Sequence, residues 1–208
     1  MFGNEFWNNH PGLHWRYHTG FHPWAWAAWG SLAGWVGAGW TDPLYYNYGE
    51  NVYYDDGQVY YGEEPIATDE QYAEQAQQIV ESAPDVNQEQ AQWMSLGVFA
   101  LTQDNQPSGP SPTMYVQLAI SKEGIISGTF QNTTTNKIFS VEGMVDKKTQ
   151  RAAWGPVGKK WPIMETGIHS LTENTAPVLL HFEDGTTQQW LMVRLDDPGA
   201  GKGQPAPK

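Results

Sequence analysis

The sequence predicts a mainly β protein, α+β overall, whose C-terminal part is an eight-stranded antiparallel up-and-down barrel or a rolled sheet. Three observations lead to this prediction. From Trp93 onward, short segments of alternating apolar and polar residues succeed one another and are separated by turn sequences. A tyrosine-rich hairpin and a single helical segment precede them. A stretch rich in tryptophan, glycine and histidine comes first.

Residues 1–40 are predicted to form an arm, because seven of the eleven tryptophans lie there among many glycines. Its histidines recur at every fourth position, His10, His14, His18 and His22. Prolines and glycines between them disfavour the helix that would align them, so we predict no metal site. The uncharged run at 24–40 is shorter than the roughly 20 residues of a membrane-spanning helix. We therefore predict a packed or interfacial aromatic segment and no transmembrane span.

Residues 41–83 are predicted to form a hairpin-and-helix module. In NVYYDDGQVYYG, residues 51–62, a two-residue turn at Asp56 and Gly57 suits a twisted hairpin. Strand alternation then places four side chains on an apolar face, Val52, Tyr54, Val59 and Tyr61. The same alternation puts Tyr53 opposite Tyr60 on the polar face.

A helix follows the hairpin. Thr68 and Gln71 have the spacing of a capping box, and apolar residues then recur at helical spacing until Pro84 ends the helix. A short strand at Ile66 and Ala67 is expected to join the hairpin to this helix. We interpret residues 84–92 as a linker.

Residues 93–196 are predicted to form the barrel-like domain. The expected strands lie near 94–103, 113–121, 124–132, 137–146, 150–155, 163–171, 177–183 and 187–195. Alternation directs one face of the second strand inward, namely Met114, Val116, Leu118 and Ile120. Closure of such a meander into a barrel removes exposed strand edges; a sandwich is the alternative. Residues 197–208 read as a disordered Gly/Pro-rich tail.

The net charge of −12 is confined to one part of the chain. Residues 41–92 carry twelve acidic and no basic residues, whereas acids and bases cancel on either side. Because the chain has no basic cluster, we expect it to bind neither nucleic acid nor an anionic membrane surface. We interpret the acidic segment as a solvated surface. The absence of cysteine excludes disulfides, thiolate metal sites and cysteine nucleophiles.

Several segments carry a family resemblance: YYNYGENVYYDDGQVYYGEEPIATDEQYAEQA, WMSLGVFALTQ, GTFQN, VEGMVDKKTQRAAW, METGIHSLTEN and TTQQWLMVRL. Together they resemble a family of uncharacterised planctomycete proteins, some of them labelled mu-protocadherin or cell-surface protein. The resemblance implies an exported, bacterial envelope-associated protein, and it implies no activity and no catalytic residues. The N-terminus shows no export signal, and the chain shows no calcium-binding motif of the cadherin type.

The sequence contains no nucleophile elbow, Walker loop, Rossmann fingerprint, H-E-x-x-H motif or EF-hand loop. His169 and His181, with Glu165 and Glu173 nearby, are the residues whose types could make a metal site if their strands pair. We interpret them as ordinary strand residues and predict neither a metal nor a cofactor. Arg151 is interpreted, like the neighbouring tryptophan, as a packing residue.

These observations predict a non-enzymatic envelope or cell-surface protein that makes contacts through aromatic surfaces. Its partner would be a second copy, another protein or a polysaccharide. The expected contact residues are Tyr53, Tyr60, Trp24, Trp26, Trp29, Trp35 and Trp40. The tyrosine pair has the alternative role of a cross-strand stabiliser.

Two other functions remain open. One is a calycin-like barrel that binds a small molecule, which an apolar cavity of a few hundred Å³ would favour. The other is a hydrolase of envelope polymers, for which the sequence assembles no nucleophile, base and orienting group.

Overall fold

The computed structural model describes residues 22–84, 91–103 and 112–197. Its first elements are helix α1 (Trp29–Val36), strands β1 (Val52–Asp55), β2 (Gln58–Tyr61) and β3 (Glu64–Thr68), and helix α2 (Asp69–Glu81). Four strands follow, β4 (Trp93–Thr102), β5 (Met114–Ser121), β6 (Ile125–Asn132) and β7 (Lys137–Val145). The last four are β8 (Arg151–Pro156), β9 (Ile163–Gly167), β10 (Thr175–His181) and β11 (Thr187–Arg194). Three predicted features lie wholly or largely outside the described residues: the histidine repeat, the linker and the tail.

Strands β4 to β11 form the predicted barrel. Each pairs antiparallel with its neighbour in the chain, and β11 pairs with β4, so the sheet closes in an up-and-down order. The prediction of an eight-stranded antiparallel barrel is confirmed. One predicted strand is too long, because β9 ends at Gly167 and a 3-10 helix (Ile168–Thr172) carries the chain to β10.

Side chains that alternate inward fill the middle of the barrel. The inward face predicted for β5 is correct, since all four of its residues lie in or against one apolar cluster. Phe99 and Trp154 are fully buried within the same cluster. Apolar burial of this kind contributes about 25 cal/mol per Å² of surface removed from water, so the filled interior stabilises the closed sheet.

The tyrosine hairpin adopts the predicted register, with Tyr53 opposite Tyr60 and Asp55 opposite Gln58. β3 adds a third strand, and α2 begins with the predicted capping box: Thr68 Oγ1 accepts from the backbone N–H of Gln71. This small sheet and α2 lie on the outside of the barrel. Their apolar side chains are buried against barrel residues that include Leu179 on β10.

Helix α1 lies within the segment predicted as an aromatic arm, and no helix was expected there. Leu32 and Val36 are buried and belong to the main core cluster, which offsets the low helix propensity of Gly30 and Gly34. Trp35 Nε1 donates to the carbonyl of Ile120, 3.3 Å away, at the end of β5. Helix α1 therefore covers one end of the barrel. Of the helices in the described ranges, none combines the length and apolar composition that crossing a bilayer requires.

Candidate functional site

The end of the barrel opposite α1 contains an apolar cavity of about 210 Å³. The cavity lies where β4, β6, β8 and β10 end and where the strands that follow them, β5, β7, β9 and β11, begin. Its walls carry almost no polar side-chain atom, because the inward residues here are aliphatic, aromatic or proline. The lining residues are Leu101, Met114, Phe130, Phe139, Val141, Trp154, Gly155, Pro156, Pro162, Met164, Leu180, Phe182 and Trp190.

The rim of this cavity is only partly covered. Met114, Phe130, Phe139 and Phe182 are half-buried, whereas Trp154 beneath them has no exposed surface. The rings of Phe130 and Phe139 stack, with centroids 4.8 Å apart. A cluster of partly exposed aromatic side chains around a concave apolar surface is the arrangement in which small apolar ligands bind.

The tryptophans predicted as contact residues are half-buried on the barrel. Trp24 packs against the outward side chain of Val98, and the ring of Trp26 lies 4.5 Å from the guanidinium carbon of Arg194. Trp40 Nε1 donates to the carbonyl of Lys147 at 2.7 Å.

The other two of these tryptophans, Trp29 and Trp35, belong to α1. Trp29 stacks on Trp40 at 5.7 Å and also contacts the ring of His169. Trp35 bonds the barrel backbone and lies 5.0 Å from the ammonium group of Lys122. Together, the five tryptophans bury much of their apolar surface against other residues of the same chain.

The predicted tyrosine pair lies on the outer face of the hairpin. Tyr53 and Tyr60 are half-buried and stack with ring centroids 5.2 Å apart and planes 5° from parallel. The structure thus places this pair apart from the tryptophans, as a small aromatic surface of its own.

A buried polar cluster lies between the hairpin module and the barrel. It joins His181 and Glu165, which the sequence singled out by residue type, to Arg151, which the sequence did not link to them. Arg151 on β8 donates from Nε and Nη2 to one oxygen of Glu165 on β9, at 3.0 and 2.6 Å. The other oxygen of Glu165 lies 2.9 Å from Nε2 of His181 on β10. The Tyr72 ring covers the guanidinium group, 3.7 Å from its central carbon. Outward positions on three adjacent strands thus make one network under α2.

Arg151 and Glu165 stabilise each other's ionised form, as the direction of their pKa shifts indicates. Burial opposes the charge of Glu165, but the guanidinium of Arg151 and the hydrogen bond from His181 outweigh it and lower the pKa of Glu165. Burial likewise opposes the charge of Arg151, and the carboxylate more than compensates, so its pKa is raised. Glu165 is therefore an ionised carboxylate with no exposed surface.

An open cleft of about 460 Å³ lies beside the cluster. Its walls come from the hairpin, the first residue of α2 and the outer face of β10 and β11. They include Tyr48, Tyr54, Asp69, Thr187 and Gln189. The hydroxyl of Thr187 faces His181, with its oxygen 2.9 Å from Nδ1.

The structure does not bring the two strand histidines together. His169 lies in the 3-10 helix, 3.6 Å from Glu173, whereas Ile163 is the residue opposite His181 on β9. The strand pairing on which a metal site at these histidines depended does not form, because β9 ends before His169. The interpretation of His169 as a strand residue is wrong, since it lies in the 3-10 helix. Among the described residues, no cluster of three His, Asp or Glu side chains could hold a metal ion.

The chain matches no protein-family model, no curated protein and no solved structure. The resemblance to planctomycete envelope proteins stays a prediction.

Proposed function

We propose that this protein binds a small, neutral, apolar molecule in the open end of its barrel. The observation that supports this proposal is the apolar cavity at that end, whose rim carries three half-buried phenylalanines and a half-buried methionine. Covering such a surface removes apolar area from water at about 25 cal/mol per Å².

The volume restricts the ligand. A dry cavity of about 150 Å³ accommodates benzene. A cavity of about 210 Å³ therefore takes one fused ring system or a short hydrocarbon chain, with the rest of a longer molecule emerging at the rim. An ionised group inside the cavity would lose its hydration without gaining a partner, since the walls offer no charge. The ligand class is thus a neutral aromatic or aliphatic compound.

Fluorescence titration with the neutral dye N-phenyl-1-naphthylamine tests the proposal. The wild-type chain is expected to bind the dye with enhanced emission. Phe182→Glu is expected to weaken binding about tenfold or more, because the substitution places a carboxylate at the rim. Val157→Glu is the matched control, since Val157 is an exposed apolar residue that does not line the cavity. Absence of dye binding by the folded wild-type chain, or an equal loss in both variants, would contradict the proposal.

A second candidate function is contact with another copy, an envelope partner or a polysaccharide through Tyr53 and Tyr60. The stacked, half-buried pair on the outer face of the hairpin supports it, whereas the five tryptophans, being packed on the barrel, contribute less than the sequence suggested. This reading includes the expected location at the bacterial envelope or cell surface.

Size-exclusion chromatography with light scattering tests self-association. The double variant Tyr53→Thr, Tyr60→Thr is expected to shift an oligomer toward the monomer. Tyr45→Thr is the control, because Tyr45 is an exposed tyrosine that lies outside the pair. A wild-type monomer at all concentrations would rule out self-association, and binding to purified cell-wall polysaccharide would then test the remaining partner class.

A further inference from the structure

We propose that Thr187 is a nucleophile that accepts an acyl group from small uncharged esters bound in the cleft between the hairpin and the barrel, with His181 as its general base. This activity is separate from ligand binding in the barrel end. Strand alternation sends Leu180 and Phe182 into the cavity, whereas His181 between them points outward.

The two ring nitrogens of His181 have different partners, Glu165 and Thr187. Glu165 is ionised and lies 2.9 Å from Nε2 of His181. Because a carboxylate only accepts hydrogen bonds, the tautomer of the neutral ring that fits this contact has its proton on Nε2. Nδ1 is then an unprotonated acceptor. The hydroxyl of Thr187 lies 2.9 Å from Nδ1 and donates to it. The order carboxylate, imidazole, hydroxyl is that of a nucleophile with an oriented base, with the two ring nitrogens exchanged relative to serine proteases.

Several contacts hold Glu165 and His181 in place. Arg151 fixes Glu165 from the side opposite the imidazole, and Gln75 and the backbone carbonyl of Tyr72 accept further hydrogen bonds from its guanidinium. The edge of the Tyr72 ring also contacts the imidazole, with centroids 6.4 Å apart. The base is therefore held in one orientation by residues of three barrel strands and α2. Arg151 acts through Glu165 and is a positioning residue.

Of the three residues, Thr187 is the one that a substrate in the cleft can reach. His181 and Glu165 have no exposed surface, but Thr187 is half-buried and lines the open cleft. Tyr54 lines the same cleft, and its hydroxyl lies near that of Thr187 without completing a hydrogen bond in the described part of the chain. The cleft also holds Asp69, which disfavours anionic substrates.

The reaction balances without any cofactor. Thr187 Oγ bonds to the carbonyl carbon of the ester while its proton passes to Nδ1 of His181. The bond from that carbon to the leaving oxygen then breaks, and His181 returns the proton to the departing alcohol. Water attacks the acyl-threonine, gives a proton to His181, and releases the acid as Thr187 recovers its hydrogen.

Acetyl transfer from p-nitrophenyl acetate to the full chain tests this inference. We expect release of p-nitrophenol together with an acetyl group that peptide mass spectrometry places on Thr187. Thr187→Val keeps the shape and removes the hydroxyl, and should lower the rate about a hundredfold. Thr187→Ser restores a hydroxyl and should recover acetylation at the same position.

Thr186→Val is the matched control, because the neighbouring hydroxyl is bonded to Asp184 and does not line the cleft. It should leave the rate unchanged. Circular dichroism and thermal melting establish that each variant is folded. Acetylation confined to lysines, or an unchanged rate in folded Thr187→Val, would overturn the inference without affecting dye binding at the barrel end.

Discussion

Arg151 and Glu165 form an ion pair on the outer face of the barrel in which the arginine side chain is 5% exposed and the glutamate 0%. The pair joins β8 to β9 and, through Gln75 and Tyr72, joins both strands to α2. It is therefore the polar counterpart of the apolar contacts that hold the hairpin module to the barrel.

Removing one member of this pair should destabilise the protein strongly. Arg151→Met leaves the Glu165 carboxylate buried without its cation, and we expect a loss of about 3 to 5 kcal/mol in the free energy of unfolding. Urea denaturation measures it. The double variant Arg151→Met, Glu165→Gln should be more stable than Arg151→Met alone. Equal stability of the two would mean that the buried charge is not what destabilises the single variant.

Acid should weaken the fold through Glu165. The pKa of its carboxyl is below the ordinary value of 4.5 in the folded chain. The folded state therefore binds this proton less readily than the unfolded state. The resulting stability is present above about pH 4.5. It is lost as the pH falls through the lower pKa that Glu165 has in the folded state. Urea midpoints between neutral pH and pH values below 4.5 should fall more steeply for the wild type than for Glu165→Gln, and parallel curves would contradict this assignment.

Alkali should weaken the fold through the buried tyrosines. Burial raises the pKa of Tyr46 to about 12, and burial together with the negative charge of Glu165 raises that of Tyr48 and Tyr72 well above 10. These hydroxyls ionise more readily in the unfolded chain. Their stabilising effect is complete below about pH 10 and is lost as the pH rises through the folded values. Tyrosinate absorbance should therefore show a late phase that coincides with the loss of circular dichroism; a late phase in a chain still folded would contradict the coupling.

Helix α1 should be part of the cooperative fold. Leu32 is fully buried in the main core cluster, so Leu32→Ala is expected to cost about 2 to 5 kcal/mol. Ser31→Ala, at an exposed position of the same helix, should change stability by less than about 0.5 kcal/mol. Equal, small effects in urea denaturation would show that α1 detaches easily and that its tryptophans are free to contact other molecules.

Local patterns were sufficient for most of the secondary structure. The hairpin register follows from alternation and a two-residue turn, and α2 begins where Thr68 and Gln71 cap it. The tryptophans of the arm were harder to interpret, because glycine-rich sequence has little intrinsic preference for a helix. Tertiary contacts stabilise α1, namely burial of Leu32 and Val36 in the barrel end and the hydrogen bond from Trp35 to Ile120.

The sequence by itself determined the meander of strands and the faces that point inward, because strand alternation and turn chemistry depend on neighbours in the chain. Within a hairpin, local register also pairs outward residues, as with Tyr53 and Tyr60, but the tertiary structure alone decided which outward residues of different hairpins meet. Arg151, Glu165, His181 and Thr187 lie on four strands, and no periodicity relates them. It also decided that the barrel is filled in the middle and open at one end, since a cavity depends on how side chains from all eight strands pack together.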